Sequence, residues 1–499
     1  MKPIETEVLV SGAGAAGLTL GIELARRGIA FRLIDKSPTP FAGSRGKGIQ
    51  PRTQEVFEDL GLVDRIFAAG GLYPPQRHYA DGGFKDEALM AEQAPTPAEP
   101  YTTALMLPQF LTEGLMRERL AELGHAPLFG RELKSFKQDR DGVTATVAGK
   151  KGDETIRARY LVGTDGGRSF VRHALNIDFP GKTLGIRAVV ADLELEGLSD
   201  DAWHRWGEGG PGQLSLCPLR GTDLFQLQAP VPLEGDIDVS VQGLAAMILA
   251  RSGRKDLRVH AVRWASVYNM NARLADRYVQ GRVYLAGDAA HIHPPTGGQG
   301  LNTSIQDSYN LGWKLAAVLR GAPPSLLASY EAERRPVAAE VLGLSTKLLE
   351  AFEKNKEMRR GRETHQLDLG YPDSPLSLRR PVDLRQRTAV LPGDRAPDAP
   401  CRGQAGQPTR LFQVYRGAHW TLLAFEAAPP VAPRQGLRIH TVGPRGELID
   451  EGGHIREAYG LSPGQCVLVR PDGYVSAVLP AAEGPILDEF LRSIGLSAP

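Results

Sequence analysis

The stretch from Glu7 to Gly17, Glu-Val-Leu-Val-Ser-Gly-Ala-Gly-Ala-Ala-Gly, predicts how the chain begins to fold. Its apolar first part is typical of a short buried strand, and it opens directly into a Gly-x-Gly-x-x-Gly sequence. A helical pattern follows from Leu18 to about Gly28, and a second strand is predicted over Phe31–Asp35. Strand, glycine loop, helix and strand in this order predict a βαβ unit that binds a dinucleotide.

Each glycine of this loop has its own mechanical task. Gly12 permits the tight turn, Gly14 lets the backbone approach a pyrophosphate, and Gly17 lets the helix pack closely on the strand. The start of the helix presents free N–H groups and a positive dipole end to the phosphates, and Asp35 is placed to accept hydrogen bonds from ribose hydroxyls. The motif does not distinguish NAD from FAD. The predicted dinucleotide contacts are Gly12, Gly14, Ala15, Ala16, Gly17, Asp35 and Lys36.

A second sequence with the same glycine spacing occurs at residues 207–212. We expect neither a strand before it nor a helix after it, and Pro211 interrupts it. This second match is therefore interpreted as a loop, because the spacing indicates dinucleotide binding only between a strand and a helix.

The composition is that of an ordinary globular protein. The chain has 499 residues, of which 42% are hydrophobic and 23% charged, and these values exclude a mostly disordered chain, a collagen and a coiled coil. At roughly 100–200 residues per domain, the length predicts two to four domains. Lys and Arg number 59 against 58 Asp and Glu, so the formal net charge of +1 gives no indication of nucleic acid or an anionic membrane as a partner.

Cysteine and histidine positions argue against a disulfide framework and against a metal site. Cys217, Cys401 and Cys466 are far apart and form no Cys-x-x-Cys pair. His291 and His293 have no third ligand nearby in the sequence, so no metal is expected. The acidic start of the chain is unlike a signal peptide, and no apolar run approaches the ~20 residues that span a bilayer. We therefore expect a cytoplasmic protein.

Two further loops place an acid directly after a predicted strand. Arg159–Val162 is followed by Gly163-Thr-Asp165-Gly-Gly-Arg-Ser169, and the strand that starts at Arg282 is followed by Gly287-Asp288-Ala-Ala-His291. A glycine-rich segment and a helix predicted over residues 303–320 come next. Because ligands of open α/β sheets bind outside the carboxyl ends of the strands, these acids are candidate ligand contacts.

The three motifs together, over roughly residues 5–375, resemble the flavoprotein aromatic hydroxylases that use a single FAD domain. The resemblance implies a para-hydroxybenzoate-hydroxylase-like α/β fold with bound FAD. It implies that Asp288 holds a ribityl hydroxyl, that residues 297–302 cradle the isoalloxazine ring, and that Asp165 supports the pyrophosphate and the approach of NAD(P)H. The further cofactor contacts expected in these loops are Gly287, Gly297, Gly298, Gly300, Leu301 and Asn302.

Further local matches extend the predicted FAD site. Residues 43–53, Gly-Ser-Arg-Gly-Lys-Gly-Ile-Gln-Pro-Arg-Thr, resemble the family segment whose arginine contacts the flavin, here Arg45. Residues 107–110, Leu-Pro-Gln-Phe, resemble the segment whose glutamine binds FAD, here Gln109, and Leu133 is a further expected FAD contact.

The chemistry follows from the resemblance. With only one credible dinucleotide-binding unit, NADPH or NADH must reduce the flavin from the surface of the FAD domain. Oxygen then adds as a C4a-hydroperoxide that attacks an electron-rich phenolate carbon. Arg45 and Pro295 are the expected catalytic residues, and no base is identified. A sheet over the flavin, about residues 180–270, is expected to line the substrate pocket, with Gln213, Phe225 and Pro295 as the candidate substrate contacts.

The last hundred residues resemble the thioredoxin-like domain of bacterial aromatic polyketide hydroxylases, and Pro392-Gly-Asp-Arg-Ala-Pro397 carries that likeness. A Cys-x-x-Cys motif is absent, so thiol–disulfide exchange is not expected. We expect a structural unit or a homodimer contact. The predicted domains are an FAD-binding domain (1–72, 101–178, 272–378), a substrate-binding sheet domain (73–100, 179–271) and the thioredoxin-like domain (388–499).

The sequence therefore predicts an FAD-dependent, NAD(P)H-using monooxygenase that hydroxylates a polycyclic aromatic or phenolic substrate. Baeyer–Villiger oxygenation or oxidation that inactivates an antibiotic is possible on the same scaffold. A flavin-binding protein without catalysis and a plain NAD dehydrogenase are the other open alternatives. A flavin halogenase is not expected, because Trp203-His-Arg-Trp206 lacks the Trp-x-Trp-x-Ile-Pro signature.

Overall fold

The structure, a computed structural model, describes residues 3–80, 82–90, 93–150, 152–207, 210–294, 296–355, 361–378 and 390–497. Its first part, up to residue 180, starts with the predicted βαβ unit. The strands are β1 (Ile4–Ser11), β2 (Phe31–Asp35), β3 (Gly48–Ile49), β4 (Gly71–Leu72), β5 (Gln76–Ala80), β6 (Gly83–Glu87), β7 (Leu105–Met106), β8 (Leu128–Phe129), β9 (Glu132–Gln138), β10 (Val143–Gly149) and β11 (Gly152–Gly163). The helices are α1 (Ala15–Arg26), α2 (Pro51–Leu60), α3 (Val63–Ala69), α4 (Gln109–Glu122) and α5 (Phe170–Ala174).

The middle part of the chain combines long antiparallel strands with two long helices. Its strands are β12 (Gly181–Glu196), β13 (Trp203–Trp206), β14 (Leu214–Pro218), β15 (Leu224–Val231), β16 (Arg258–Leu274), β17 (Val279–Gln280), β18 (Val283–Leu285) and β19 (His291–Ile292). Its helices are α6 (Val241–Ser252), α7 (Gly300–Leu319) and α8 (Ser325–Asn355).

The last part, from residue 390, forms its own sheet. Its strands are β20 (Pro400–Gly403), β21 (Pro408–Arg410), β22 (Trp420–Phe425), β23 (Leu437–Val442), β24 (Leu448–Ile449), β25 (Gln465–Val469) and β26 (Val475–Pro480). Its helices are α9 (Leu411–Tyr415), α10 (His454–Tyr459) and α11 (Gly484–Ser493). The strands run in the order β21-β20-β24-β23-β22-β25-β26, and within the central part, β23-β22-β25-β26, β22 is parallel to β23 and antiparallel to β25. This order is that of a thioredoxin-like core.

The first sheet places the glycine loop and the two loops with Asp165 and Asp288 along one edge. Its strands follow the order β17-β18-β11-β1-β2-β8, and β9 and β10 extend it beside β11. Strand β1 runs parallel to both β2 and β11, and β11 runs parallel to β18. Their carboxyl ends therefore meet at the same side, as the βαβ prediction requires.

The second sheet has one apolar and one polar face. Its order is β19-β16-β12-β15-β14-β13-β5-β6. Alternate residues point to opposite faces, and directly paired residues share a face. Leu193 pairs with Phe225, and this face is packed beneath α6. Asp192 pairs with Gln226, and this polar face turns toward the loop of residues 43–47.

The second glycine-spaced sequence, residues 207–212, connects two strands of this sheet. Strand β13 does precede it, which corrects the expectation that no strand would, and β14 rather than a helix follows it. Residues 208 and 209 lie outside the described part of the chain. Because no helix starts there, the interpretation as a loop agrees with the structure.

A buried ionic cluster joins the thioredoxin-like unit to helices α7 and α8. Arg470 Nη1 donates to Glu333 Oε1 at 2.7 Å, and Lys314 Nζ donates to Glu333 Oε2 at 2.6 Å. Arg470 Nη2 also contacts Asp472 Oδ2 at 2.6 Å. Burial lowers the pKa of Lys314 to about 8 although Glu333 opposes the shift. The cluster thus depends on Glu333 as the anion between two buried cations.

The described residues contain neither a helix suited to a membrane nor a cluster suited to a metal ion. None of the helices there combines the length and apolar character needed to cross a bilayer. Within the same ranges, no three His, Cys, Asp or Glu side chains gather as a metal site would require.

Candidate active site

The loops that follow β1, β11 and β18 are bonded to one another at the edge of the first sheet. Thr164 N donates to Ser11 O at 2.8 Å, and Thr164 Oγ1 donates to Gly12 O at 2.8 Å. Ala286 N donates to Gly163 O at 3.0 Å. The loops that follow β1, β11 and β18 therefore form one continuous site, although more than 120 residues separate them in sequence.

Two of the three glycines in the first loop are required by packing. A Cβ built on Gly12, whose φ is +113°, would lie 2.2 Å from Thr164 O. A Cβ on Gly17 would lie 1.9 Å from Gly12 O. A Cβ built on Gly14, by contrast, would have Glu113 Oε1 as its nearest neighbour, at 3.6 Å. Gly14 is thus the glycine whose backbone has room for a ligand, as a pyrophosphate-binding loop requires.

Carboxylates brace this loop from both sides. Asp35 Oδ2 accepts from Ala13 N at 2.7 Å, and Asp35 Oδ1 accepts from Ser37 N at 2.8 Å. Ala15 N, at the start of α1, donates to Glu113 Oε1 at 3.2 Å. Ala16 is buried in the same turn, whereas Lys36 is exposed. Glu113 was not among the residues predicted from the sequence.

Asp165 organises the second loop and keeps one oxygen unused. Its Oδ2 accepts from Val171 N at 3.1 Å, at the start of α5. Its Oδ1 is buried and has no hydrogen-bond partner in the described part of the chain. Burial raises the pKa of the Asp165 carboxyl. Arg172 connects this loop to the third one, because its guanidinium donates to Gly167 O and to Ala289 O, each at 2.9 Å.

Asp288 is an accessible carboxylate deep within the protein. Its side chain is exposed, yet the surrounding protein desolvates it and raises the pKa of its carboxyl. His291 and Arg45 act in the opposite direction. Accessible oxygens at the floor of a cleft suit a ligand that brings hydroxyl groups.

A buried chain of side chains holds the third loop. Asp307 Oδ2 accepts from Gly287 N at 3.1 Å and bonds to His291 Nε2 at 2.7 Å, and His293 Nε2 bonds to His291 Nδ1 at 2.9 Å. Arg334 Nε donates to Asp307 Oδ1 at 2.8 Å. Burial alone would raise the pKa of Asp307, but His291 and Arg334 hold it below its ordinary value. The two histidines therefore bond to each other and to a carboxylate.

Asn302 fastens the glycine-rich segment before α7 to strand β3. Its Nδ2 donates to Gly48 O at 2.9 Å, and its Oδ1 accepts from Gln50 N at 2.8 Å. Gln50 Nε2 donates to Gly297 O at 3.1 Å. Leu301 lies against Gly46, at 3.3 Å from a Cβ built there. The space around Gly300 is open, Gly298 is half-buried, and Pro295 lies outside the described residues.

Arg45 and Gln109 lie in adjoining positions at this site. The exposed Arg45 guanidinium lies 5.5 Å from the ring centre of Phe41 and 5.8 Å from that of Trp264. Gln109 Oε1 accepts from Gly46 N at 3.2 Å. Leu133 is buried in the core and pairs with Val147 of β10, and its contact with FAD stays a prediction.

The Arg45 loop is anchored to the polar face of the second sheet. Ser44 Oγ donates to Asp192 Oδ1, and Gln226 Nε2 donates to the Ser44 carbonyl. Lys47 Nζ donates to Gln226 Oε1 at 2.7 Å. Burial raises the pKa of Asp192 to about 6. The sheet and the expected flavin loops are therefore linked through buried polar side chains.

The second sheet and the loop before β14 carry two of the candidate substrate residues. Phe225 lies in the apolar cluster under α6, on the face of the sheet opposite to Asp192, and its substrate contact stays a prediction. Gln213 is half-buried, and its carbonyl accepts from Arg251 Nη1 at 2.8 Å; its role stays a prediction. The polar face that carries Asp192 also carries three residues that are only partly buried: Gln228, Ser266 and Tyr268.

The site fits a flavin dinucleotide. The open backbone at Gly14 suits a pyrophosphate, and the accessible Asp288 carboxylate suits a ribityl chain. Buried oxygens without a partner among the described residues, Asp165 Oδ1 and Glu113 Oε2, need a polar ligand or water. Fold and site together define a dinucleotide-binding flavoprotein.

The chain belongs to the FAD-binding family of aromatic-ring hydroxylases. Residues 5–345 match the family described as FAD binding domain, and residues 389–495 match the one described as aromatic-ring hydroxylase, C-terminal. The resemblance drawn from the three motifs is thus confirmed. The protein is an FAD-dependent monooxygenase.

Curated relatives and solved structures agree with this assignment. A flavin-dependent monooxygenase of Mycobacteroides abscessus is 41% identical, covering 98% of this chain and 99% of that protein. A 12-dehydrotetracycline 5-monooxygenase/anhydrotetracycline 6-monooxygenase of Streptomyces rimosus is 34% identical over 94% of each chain. The crystal structure of aklavinone-11 hydroxylase with FAD and aklavinone matches with a TM-score of 0.83, 28% identity and 99% coverage of each chain.

Replacing Asp288 by alanine is expected to weaken FAD binding. The ribityl chain would lose a desolvated acceptor, at a cost of about 1–3 kcal/mol, or roughly 5–150-fold in affinity. The ratio of flavin to protein absorbance in the purified variant measures the loss. Asp223→Ala, an exposed turn residue, is the matched control and should keep full occupancy. Full FAD occupancy in Asp288→Ala would show that this carboxylate does not hold the cofactor.

Proposed function

We propose that this monooxygenase uses NAD(P)H and O2 to hydroxylate a phenolic, polycyclic aromatic substrate of the polyketide type. The observation that carries the proposal is the polar face of the second sheet, which lies against the Arg45 loop. Relatives whose names specify tetracycline and aklavinone substrates support the substrate class. A pocket with an apolar lining and a few polar groups suits a flat ligand that carries several oxygen atoms.

The residues of this chain would position the reactants. FAD, when bound, supplies the redox chemistry and the activation of oxygen. Asp288 and the backbone of residues 297–302 would hold the ribityl chain and the ring, and Arg45 would provide positive charge beside them. The second sheet would exclude water from above. Gln228, Ser266 and Tyr268 would bind the oxygen atoms of the substrate; burial raises the pKa of Tyr268 to about 12, so it would act as a neutral donor.

Reduction by NAD(P)H is proposed to occur at the surface of the FAD domain. Among the described residues, one Gly-x-Gly-x-x-Gly sequence lies between a strand and a helix, and we assign that loop to FAD. The half-buried Asp165 lies at this surface beside the exposed Arg168. A cationic side chain next to the pyrophosphate loop suits the phosphates of a nicotinamide dinucleotide.

We propose the domain division on the same basis: an FAD-binding domain of residues 1–72, 101–178 and 272–378, a substrate sheet domain of residues 73–100 and 179–271, and a thioredoxin-like domain of residues 388–499. The described strands of the first sheet fall within the first set of ranges, and β20–β26 fall within the third. Strand β16 crosses one proposed border by three residues, because it ends at Leu274.

The test is a screen of aromatic polyketides for substrate-dependent NADPH oxidation under ¹⁸O2. The expected product carries one labelled oxygen as a ring hydroxyl, and mass spectrometry with NMR identifies it. A labelled lactone oxygen would instead indicate Baeyer–Villiger oxygenation. Substrate binding with no consumption of NADPH or NADH would contradict the proposal and favour a binding protein.

A further inference from the structure

Glu113 of helix α4 occupies the approach to the pyrophosphate loop. Its Oε1 accepts from Ala15 N at 3.2 Å and lies 3.6 Å from a Cβ built on Gly14. These are the backbone groups that a Gly-x-Gly-x-x-Gly loop offers to a pyrophosphate. Glu113 is 1% exposed, so its carboxylate cannot turn out into water.

The second oxygen of Glu113 is unused. Oε1 already accepts from Ala15 N and from Gln109 Nε2, the latter at 2.8 Å. Oε2 is buried and has no hydrogen-bond partner among the described residues. A buried, unpaired carboxylate oxygen is costly unless a ligand or a proton satisfies it.

The charges around Glu113 do not neutralise it fully. Burial raises the pKa of its carboxyl, and Asp35 of β2 raises it further. Gln109, Arg117 and the Ala15 N–H act in the opposite direction without cancelling the shift. Helix α1 faces Glu113 with backbone rather than with a charged side chain. A doubly negative pyrophosphate at Gly14 would place more negative charge beside Glu113. It would therefore favour the neutral form of the Glu113 carboxyl.

We propose that Glu113 couples FAD binding to the uptake of a proton. As a carboxylate it repels the pyrophosphate through its charge, and its bare Oε2 has no proton to donate. As a neutral carboxyl it keeps Oε1 on Ala15 and Gln109 and offers the Oε2 proton to a phosphate oxygen. The proton comes from solvent, and FAD affinity therefore falls as pH rises. The inference rests on the proposed function only in requiring that FAD binds.

Gln109 extends this role to the flavin end of the cofactor. The side chain of Gln109 joins Glu113 to Gly46 N, which is the residue after Arg45. Glu113 and Gln109 thus connect the pyrophosphate loop with the Arg45 loop through three hydrogen bonds. Glu113 is a positioning residue for the cofactor rather than a residue that takes part in the oxygenation.

The test measures FAD affinity of the full chain against pH. Release of fluorescent FAD from the diluted holoenzyme is followed between pH 6 and 9. Wild-type affinity should fall with rising pH, by up to about tenfold per pH unit for one linked proton. Glu113→Gln keeps a hydrogen-bond donor but has no charge. This variant should therefore bind FAD more tightly than wild type at pH 9, and its FAD affinity should change less steeply with pH. Glu118→Gln, exposed on the same helix, is the control and should behave as wild type.

A second measurement and a second variant keep the test independent of one substitution. Calorimetric titration of the deflavinated wild-type chain with FAD, in phosphate and in Tris, counts the protons taken up. The same titration of Glu113→Gln should show less uptake, because Asp35, Asp165 and Asp288 contribute alike in both chains, and equal uptake in the two chains overturns the proposal. Glu113→Leu lacks donor and charge, so it should lose affinity at pH 6 and show the shallow slope. If FAD affinity depends on pH equally steeply in wild type, Glu113→Gln and Glu113→Leu, the proposal is also overturned. A wild-type chain that binds no FAD at any pH contradicts the enzyme assignment instead.

Discussion

Replacing Glu333 by alanine is expected to destabilise the chain by about 3–5 kcal/mol. The carboxylate lies between Lys314, at 2.6 Å, and Arg470, at 2.7 Å, and all three side chains are fully buried. Alanine would leave two cations with only Asp472 as a counter-charge. An ion pair of this kind adds little net stability when complete, but removing one partner strands a charge away from water. Chemical denaturation of the purified holoenzyme measures the loss.

The control for this change is Glu340→Ala, because Glu340 is exposed on the same helix. Its effect should stay within about 0.5 kcal/mol. Burial alone would raise the pKa of Glu333, but Arg470 and Lys314 hold it well below its ordinary value of 4.5. The resulting stabilisation is complete above pH 4.5 and is lost as pH falls further. A Glu333→Ala variant as stable as wild type would show that the cluster does not hold the two units together.

Replacing Gly12 by alanine is expected to cost about 2–6 kcal/mol and to abolish FAD retention. Two effects add at this position. The φ of +113° is a conformation that L side chains rarely adopt, and the new Cβ would lie 2.2 Å from the backbone oxygen of Thr164. Relief requires β1 to move from β11, which would separate the first two ligand loops. Thermal unfolding and flavin absorbance of the purified variant report the two losses.

Gly21→Ala provides the comparison for this variant. Gly21 lies in the following helix, and its added Cβ would meet Phe31, Leu120 and Leu33 at 3.4–3.5 Å, which is ordinary contact. Because alanine favours the helical conformation by about 1 kcal/mol over glycine, stability should be unchanged or slightly higher. Full flavin content in Gly12→Ala would contradict the packing argument.

The fold was predictable where one local pattern specifies a unit. The expected βαβ start agrees with β1, α1 and β2, and β2 has the predicted bounds. The strand–glycine–acid pattern also located Asp165 and Asp288, because parallel strands bring their carboxyl ends together. The family resemblance and FAD as cofactor are confirmed by the matches over residues 5–345 and 389–495.

Other parts of the site depend on contacts that no local pattern encodes. Glu113 looks like one more polar residue of a helix, and its partner Ala15 is 98 residues away. Asp307 is a helix residue whose task appears only when Arg334 and His291 pack beside it. The place of Phe225 was not predictable, because alternation in Leu224–Gln228 separates two faces without saying which one meets the ligand. The apolar face is covered by α6, which leaves Gln226 and Gln228 for the flavin side.

The bond between Arg470 and Glu333 also fixes a sequence of events during synthesis. The arginine leaves the ribosome 137 residues after its acidic partner. Until then the growing polypeptide holds an ionic site that lacks one of its members, although its dinucleotide-binding strands are already complete. A message that ends before codon 470 therefore yields a product with an unfinished interior, which is the kind of chain that cellular proteases remove. In this enzyme, the buried ion pairs of α7 and α8 are complete only once residue 470 has been translated.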